Sequence, residues 1–258
     1  NQTPYAHYYE PRDPALSYAF VAARHMHEFG TTREQLAHVA VAARGWAQKN
    51  PAAFMRDPLT IDEVLGARMV VDPLGVRDCC LVTDGGGAVI LVKADRAKDF
   101  PHPPAYLLGV AAETSHTQIA QMKNLTTTAA ARSGPRAFEM AGLKPSDVDV
   151  LELYDAFTIN TLMFLEDLGY CKKGEGGPFV ESGAIAPGGS LAVNTNGGGL
   201  SCVHPGMYGI FLVIEAATQI RGQGGERQVP DANVALIQGN GGTFSTQVTA
   251  LLGTEATL

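Results

Sequence analysis

Residues 194–206 read NTNGGGLSCVHPG, and the fold of the whole chain can be interpreted outward from this stretch. It joins a predicted strand at 191–193 to a predicted amphipathic helix at 207–221. Three consecutive glycines allow positive φ angles and a close approach of the backbone to a neighbouring group. His204 should directly precede the helix, whose N-terminal field disfavours a protonated imidazole. A neutral imidazole can hydrogen-bond an oxyanion or accept a proton, although a structural histidine beside a glycine turn fits these residues equally well.

Strands and helices alternate along the C-terminal part of the chain. The predicted strands are 105–113, 148–153, 191–193, 233–238 and 244–252, and the predicted helices are 127–142, 157–169 and 207–221. Such alternation is typical of a mixed or largely parallel sheet covered by helices. Residues 239–242 have turn composition and should join the last two strands as a hairpin. In the helix at 207–221, the apolar side chains expected to face the sheet are Ile210, Phe211, Ile214, Ala217 and Ile220.

The N-terminal part of the chain is predicted to be helical. Apolar residues recur at helical spacing over 12–30 and 31–50. Asp13 occupies the N-cap position of the first helix. Thr31 and Glu34 have the spacing of a capping box at the start of the second. These signals predict two consecutive helices.

The segment after these helices is predicted to contain short elements and one strand. Residues 52–78 should form short helices and loops, one of which opens with the capping-box pair Thr60 and Glu63. The apolar run in 79–93 predicts a buried strand that is entered through a glycine-rich turn. The three prolines within 99–104 predict a linker.

The composition is that of a globular protein. The 258 residues are 45% hydrophobic and 17% charged, with a net charge of −7, so there is ample apolar material for a core and no basic stripe for nucleic acid. No apolar run predicts a membrane span, and the histidines do not have the spacing of a metal site. The cysteines form no CxxC pair, which favours a reduced, cytoplasmic protein: Cys79, Cys80, Cys171 and Cys202.

The glycine-rich stretch resembles a motif of the thiolases. Asn194, Asn196, Gly197 and Gly198, followed by His204-Pro205, are similar to the Asn-x-x-Gly-Gly…Gly-His-Pro block of that family. Val203 departs from the pattern, because most thiolases have glycine there. The runs 83–89 and 56–80 resemble a strand entry and a loop region of the family, the latter in its sterol-carrier-related branch.

This resemblance implies an α/β fold with the layered α-β-α-β-α arrangement of thiolases. Residues 1–78 would be its helical loop region, 79–100 the last strand segment of the N-terminal half, and 101–258 the C-terminal half. The nucleophilic cysteine of thiolases would then lie upstream of this sequence. Coenzyme A thioesters would be substrates or products, with no further cofactor.

Tyr154-Asp155-Ala156-Phe157 follows a predicted strand and matches the position of a thiolase site block. A phenol can donate a hydrogen bond to an oxyanion or act as an acid. Tyr154 could equally be a packed amphipathic side chain on residue type alone, but the resemblance favours a site role. Asp155 is expected to be a structural carboxylate at a helix start.

A third block covers residues 237–242 and matches the Cys-x-Gly-x-Gly block of thiolases. Ile237 falls on the cysteine that acts as the second acid/base in that family, and the alternative location is Ala156, so neither holds a thiol. The loop could still form an oxyanion site from backbone N–H groups, namely those of Gly239, Asn240, Gly241 and Gly242. The residues expected to line the site are Asn194, Asn196, Gly197, Gly198 and Cys202, although packing is the simpler explanation for Cys202.

Three functions remain open from the sequence. The first is acyl transfer or thiolysis through an upstream cysteine, with His204 in an oxyanion site. The second is retro-aldol cleavage of a hydroxyacyl-CoA with Tyr154 as acid/base, because steroid side-chain aldolases of the superfamily have a similar Tyr-Asp-x-Phe block. The third is a non-catalytic acyl-CoA-binding or scaffold subunit. The resemblance also implies a homodimer or tetramer and, in the aldolase branch, a small zinc-containing OB-fold partner.

Overall fold

The structure is a computed structural model that describes residues 14–258, so Asp13 lies outside the described residues. The predicted mixed α/β architecture is confirmed. The helices are α1 (Ala15–Phe29), α2 (Arg33–Gln48), α3 (Ile61–Leu65), α4 (Ala130–Ala141), α5 (Thr158–Asp167), α6 (Gly176–Glu181) and α7 (Gly209–Ile220). The strands are β1 (Met69–Val71), β2 (Leu74–Gly75), β3 (Tyr106–Thr114), β4 (Val150–Leu153), β5 (Ala192–Val193), β6 (Val234–Gly241) and β7 (Thr246–Gly253). No helix within 14–258 combines the length and apolar character needed to cross a bilayer.

The core is a five-stranded sheet with the order β3-β7-β6-β4-β5. β6 and β7 pair antiparallel, which confirms the predicted hairpin, and β3 pairs antiparallel with β7. β4 lies parallel to both β5 and β6. Because parallel strands end at the same edge of a sheet, the segments at the carboxyl ends of these three strands meet there. They are 154–157, 194–206 and 239–242, the three predicted motifs.

Helix α7 differs from its prediction in start and in orientation. It begins at Gly209 rather than at 205–207, so His204 does not lie in its first turn. The side chains buried against the rest of the fold are Leu212, Glu215, Ala216, Gln219 and Ile220, and the predicted stripe, except Ile220, is only partly buried. The predicted stripe instead faces the segment that contains Gly87, because a Cβ atom added at Gly87 would contact the side chain of Ile214. The polar Glu215 and Gln219 can point inward because both find hydrogen-bond partners there.

The predicted buried strand within 79–93 is wrong. Its first residues are held by backbone bonds, from Cys80 N to Ala156 O at 2.8 Å and from Leu81 N to Gly199 O at 2.9 Å. Beyond them the chain runs along α7 without regular strand structure, and Leu91 is 84% exposed. A strand needs a neighbour for its backbone groups, and no strand among residues 14–258 pairs with 84–93. The division of the chain at residues 78 and 100 stays a prediction.

The N-terminal helices have capping boxes, but one lies a residue away from its prediction. Gln35 N donates to Thr32 Oγ1 at 3.1 Å and Thr32 N to Gln35 Oε1 at 3.2 Å. The predicted Thr31 instead contacts His25 Nδ1 through its hydroxyl at 2.8 Å. The other predicted box is confirmed: α3 is capped by Thr60 with its N3 residue, three positions later. Helices α1 and α2 contact α5, which in turn contacts β4, and α2 also contacts the turn at 198–202.

Candidate active site

The segments after β4 and β5 are tied to each other and to β6. Asn194 is the first link: its N–H donates to Leu151 O at 2.8 Å, and its Oδ1 accepts Leu153 N at 2.7 Å. Tyr154 N donates to Gln238 O at 3.0 Å. The structure therefore brings the predicted residues Asn194 and Tyr154 together, next to the start of the third motif.

The glycines of the loop are required by close packing. Gly197 and Gly198 have φ angles of 102° and 65°, in the left-handed region that favours glycine. A Cβ on Gly197 would collide with Ala47 of α2, and one on Gly198 would overlap the carboxylate of Asp155. Gly198–Cys202 then forms a single π-helical turn. The sequence prediction of close backbone approach is explained by packing inside the protein at these two positions.

Asp155 stabilises that turn. Its carboxylate accepts Gly199 N at 2.6 Å and Leu200 N at 3.3 Å. It is fully buried, and burial raises its pKa to about 7 although these hydrogen bonds oppose the rise. Asp155 was expected to serve a helix start, but α5 has no side-chain N-cap. Its structural role is therefore to hold the turn that leads to His204.

Tyr154 and His204 lie side by side. Their ring centroids are 5.6 Å apart with an interplanar angle of 86°, an edge-to-face arrangement. Tyr154 is 8% exposed and His204 is half-buried. The Nε2 atom of His204 is buried and has no hydrogen-bond partner among residues 14–258. Since buried polar atoms are normally paired, this nitrogen is available to a bound molecule.

Both groups are neutral at physiological pH. Burial lowers the pKa of His204. Burial raises the pKa of Tyr154, and the hydrogen bond from Tyr208 N only partly opposes it. The neutral imidazole predicted from the sequence thus has a different cause, because α7 begins five positions after His204. A neutral imidazole can accept a proton at its unprotonated nitrogen, and a neutral phenol can donate one.

Tyr208 joins the parts of this site and was missed from the sequence. Its backbone N–H donates to Tyr154 OH at 3.2 Å, and its own phenol donates to Asn196 Oδ1 at 3.1 Å. Its ring stacks on His204 at a centroid distance of 5.9 Å. Asn196 Oδ1 also accepts Gly198 N at 2.7 Å. Tyr208 follows His204 by four positions, and that short spacing was the available signal.

The third motif, residues 239–242, forms more strand structure than the turn predicted from its sequence. Gly239, Asn240 and Gly241 belong to β6 and pair with β7, and only Gly242 turns, with a φ angle of 58°. Asn240 Nδ2 donates to Tyr18 OH at 2.8 Å, and Tyr18 OH donates to Gly242 O at 3.2 Å. An oxyanion role for this motif stays a prediction.

Tyr18 is a second residue that the sequence did not reveal. It comes from α1, is 2% exposed, and stacks on Phe157 with centroids 4.4 Å apart. Burial raises its pKa to about 12. Its spacing with Ala22 and His25 marks the buried face of α1, whereas the apolar Phe20 is half exposed. Tyr18 therefore connects α1 to the motifs after β4 and β6.

Cys202 is not part of the Tyr154–His204 pair. It packs with Ala47 and Ala53, and its Sγ accepts Asn50 Nδ2 at 3.5 Å. Burial raises the pKa of each thiol to about 12: Cys79, Cys80, Cys171 and Cys202. None of them is a thiolate at neutral pH, so none has the activated form of a nucleophile.

A cavity of about 310 Å³ lies beside the π-helical turn. It is lined mainly by apolar side chains together with Arg44 and Arg77. Arg44 is committed to the structure, because it donates to Ser201 Oγ at 2.9 Å and to Asp57 O at 2.9 Å. Neither Tyr154 nor His204 lines this cavity, although Cys80 and Leu200 in its wall adjoin both motifs.

Residues 111–254 match the family described as "Thiolase C-terminal domain-like". The acetyl-CoA acetyltransferase of Methanothermobacter thermautotrophicus is 40% identical over 235 residues, which cover 90% of this chain and 61% of that protein. The steroid side-chain-cleaving aldolase of Thermomonospora curvata is 37% identical over 234 residues, which cover 88% of this chain and 59% of that protein. The chain thus spans about 60% of the length of these relatives.

Solved structures of related proteins superpose on this chain. The structure described as "Ltp2-ChsH2(DUF35) aldolase" superposes with a TM-score of 0.90 and 33% identity, covering 100% of this chain and 69% of that chain. A monomeric SCP2-thiolase like protein from Mycobacterium smegmatis superposes with a TM-score of 0.71 and 19% identity, covering 93% of this chain and 51% of that chain, which shows the fold. The implied thiolase-like fold is therefore confirmed, and the chain belongs to the thiolase family through its C-terminal domain.

Proposed function

We propose that this chain supplies the acid–base part of an active site that makes or breaks a C–C bond next to the carbonyl of an acyl-CoA thioester. The observation that carries the proposal is the pairing of Tyr154 with His204, whose ring centroids lie 5.6 Å apart and whose Nε2 has no partner. Such bonds are made and broken through an enolate, which needs a hydrogen-bond donor at the thioester oxygen and a group that moves a proton. A neutral imidazole and a neutral phenol provide both.

The two side chains have different tasks in this proposal. His204 uses Nε2 toward the substrate, either as acceptor of a proton or as donor to the thioester oxygen, according to its tautomer. Tyr154 donates its phenolic proton, because its oxygen already accepts from Tyr208 N. Asn194 and Asn196 keep the loop in place and do not need to touch the substrate.

Acyl transfer is one form of this reaction. It needs a thiolate to carry the acyl group, and the raised pKa values of the four cysteines give none of them that form at neutral pH. The similarity to an acetyl-CoA acetyltransferase at 40% identity supports this form. His204 would then occupy the oxyanion site, and coenzyme A would be a substrate or product.

Retro-aldol cleavage is the second form, and a specific observation favours it. A retro-aldol step needs a proton acceptor and a proton donor, and His204 and Tyr154, whose ring centroids lie 5.6 Å apart, provide both. His204 would take the proton of the β-hydroxyl, and Tyr154 would return a proton to the enolate. The fold similarity to an aldolase, at a TM-score of 0.90, supports this form.

The assembly is part of the proposal. The similar aldolase structure names ChsH2(DUF35) together with Ltp2, which supports a partner of that kind for this chain. That this partner is a small, zinc-containing OB-fold protein is proposed from the family resemblance alone. A homodimer or tetramer is proposed from the family resemblance. Co-purification of the gene product followed by mass measurement would identify either kind of partner.

The reaction form can be decided with two substrates. The full gene product is given acetyl-CoA with a second acyl-CoA in one assay and a β-hydroxyacyl-CoA in another, and products are identified by mass spectrometry. A β-ketoacyl-CoA in the first assay indicates acyl transfer, and a shortened carbonyl compound in the second indicates retro-aldol cleavage. Binding of acyl-CoA without turnover in either assay would favour a non-catalytic subunit and contradict the proposal.

A further inference from the structure

A cluster of fully or nearly buried polar side chains lies between β4 and the loop that follows β5. Glu152 comes from β4, Thr195 from the loop, and Glu215 and Gln219 from α7, while Arg227 follows α7. Glu152, Thr195 and Gln219 have no exposed surface, and Glu215 is 3% exposed. Two carboxylates here share a single cation.

The hydroxyl of Thr195 contacts both carboxylates. Its Oγ1 lies 2.9 Å from Glu152 Oε1 and 2.7 Å from Glu215 Oε1. Both are hydrogen-bond distances between oxygen atoms, and each needs a proton between the two oxygens. A hydroxyl carries only one proton. The second proton must therefore belong to one of the two carboxyl groups.

Gln219 cannot supply that proton. Its Oε1 accepts Val229 N at 2.9 Å, so its Nε2 is the atom directed at Thr195 Oγ1, at 3.0 Å. That bond uses one of the two lone pairs of the hydroxyl oxygen. The other lone pair is free to accept from a carboxylic acid, which leaves the hydroxyl proton for the remaining carboxylate.

Glu215 is the ionised partner. Arg227 contacts it twice, from Nε to Oε1 at 2.9 Å and from Nη2 to Oε2 at 3.0 Å, in the bidentate geometry of a guanidinium–carboxylate pair. Within the part of the chain that the structure describes, Glu152 forms no ion pair and its buried Oε2 has no hydrogen bond. An isolated buried charge costs far more than a neutral acid.

We propose that Glu152 is a neutral carboxylic acid that donates a hydrogen bond to Thr195 and so positions the loop of the candidate active site. Thr195 stands between Asn194, which binds Leu153 N, and Asn196, which binds Gly198 N and the phenol of Tyr208. Glu152 is thus a positioning residue. The assignment stands on hydrogen-bond geometry and is independent of which reaction the site performs.

The surroundings of Glu152 agree with this assignment. Burial and then the charge of Glu215 raise its pKa well above the ordinary value. Asp155 acts in the same direction. Besides these and Arg227, the ionisable groups that face it are Cys202 and Tyr208, both neutral because burial raises their pKa values. Arg227 is already engaged by Glu215.

Infrared spectroscopy tests the protonation state directly. The difference spectrum between the wild-type chain and Glu152→Gln, recorded at about pH 7, should show loss of one carbonyl band of a protonated carboxylic acid. Asp155 is present in both proteins and cancels. Loss of carboxylate bands alone would overturn the proposal, and this reading requires only that Glu152→Gln folds.

Rescue by a conservative substitution provides the second test. Glu152→Gln keeps an N–H donor of the same shape and takes up no proton on folding, so its denaturant midpoint at neutral pH should be at least as high as that of the wild type, whereas the midpoint of Glu152→Leu should lie below that of Glu152→Gln. The wild-type midpoint should also fall as the pH rises above the unfolded pKa of about 4.3, because the folded state keeps a proton that the unfolded state has lost, and the fall should end where the pH passes the raised folded pKa. Glu152→Gln should lack this part of the fall. Equal pH dependence in the two proteins would contradict a protonated Glu152.

Discussion

Two buried networks of polar and ionisable side chains in this molecule differ in the number of cationic side chains that lie beside their carboxyl groups. The loop network lies beside the candidate site and consists of Glu152, Thr195, Glu215, Gln219 and Arg227. The helix network joins α1 to α5 and consists of His25, Thr31, Glu166, Asp167 and Lys173. The first provides one cation for two carboxylates, and the second provides a lysine together with a histidine.

The pKa values of the buried carboxyl groups differ accordingly between the two networks. In the loop network, burial raises the pKa of Glu152 and Glu215 raises it further. In the helix network, burial also acts to raise the pKa of Glu166, but His25 and Lys173 outweigh it, so the pKa is lowered. Asp167 keeps a raised pKa through burial despite its contact with Lys173. Burial alone therefore does not decide whether an acid is charged, because the number of donors and cations around it can reverse the result.

The largest effect is expected when the loop network loses its only cation. Arg227→Met leaves Glu215 buried without its partner and should lower the free energy of unfolding by about 3–5 kcal/mol. Denaturant unfolding at neutral pH measures it. The matched control is Arg132→Met, which breaks an exposed contact to Glu113 at 3.1 Å and should cost at most about 1 kcal/mol. Similar losses in both variants would remove the distinction between the buried pair and the surface pair.

A smaller effect is expected in the helix network. His25→Leu removes the contacts of Nε2 to Glu166 at 3.1 Å and of Nδ1 to Thr31 at 2.8 Å. Glu166 keeps Lys173 and the N–H of Gly176, so the free energy of unfolding should fall by about 1–3 kcal/mol. His27→Leu is the control, because His27 is exposed on the same helix. A loss larger than that of Arg227→Met would reverse the ranking of the two networks.

The smallest effect concerns pH. The lowered pKa of Glu166 means that its contribution is present above the unfolded pKa of about 4.3 and is lost as the pH falls through the folded pKa. Glu166→Gln should therefore cost about 1 kcal/mol at neutral pH and progressively less as the pH falls below the unfolded pKa of about 4.3. Unfolding curves over this range measure the difference. A cost that does not change with pH would show that Glu166 is not ionised in the folded protein.

The balance between burial and the availability of hydrogen-bonding partners also explains which parts of the fold could be predicted from the sequence. The alternating strands and helices from residue 105 onward are confirmed because their apolar patterns match their packing. The orientation predicted for α7 was wrong because Glu215 and Gln219 are residue types that usually lie on the surface. Their inward position is favourable because the loop network provides them with hydrogen-bond partners. The strand predicted within 79–93 is absent because no strand among residues 14–258 pairs with 84–93. The apolar pattern of a segment carries no information about whether such a neighbour exists.

The candidate site shows the same limit. The proximity of Tyr154 and His204 could be predicted because their motifs follow parallel strands and resemble a known family, whereas their role in a reaction stays a prediction. Tyr208 and Tyr18 were missed because each acts through contacts between distant elements, and their local spacing indicates only nearness to His204 and a place on the buried face of α1. The cause of the lowered pKa of His204 was also mistaken, since burial replaces the helix field.

The pairing of Tyr154 with His204 is tested most directly by measuring turnover and binding of one acyl-CoA in the same variants. His204→Gln and Tyr154→Phe should each lower kcat by about 100- to 10,000-fold while the affinity for acyl-CoA changes little. His102→Gln, at an exposed histidine, should leave both unchanged. Wild-type activity should decline in acid only below the ordinary imidazole pKa of about 6.5, because burial lowers the pKa of His204. Full turnover in both site variants would contradict the account.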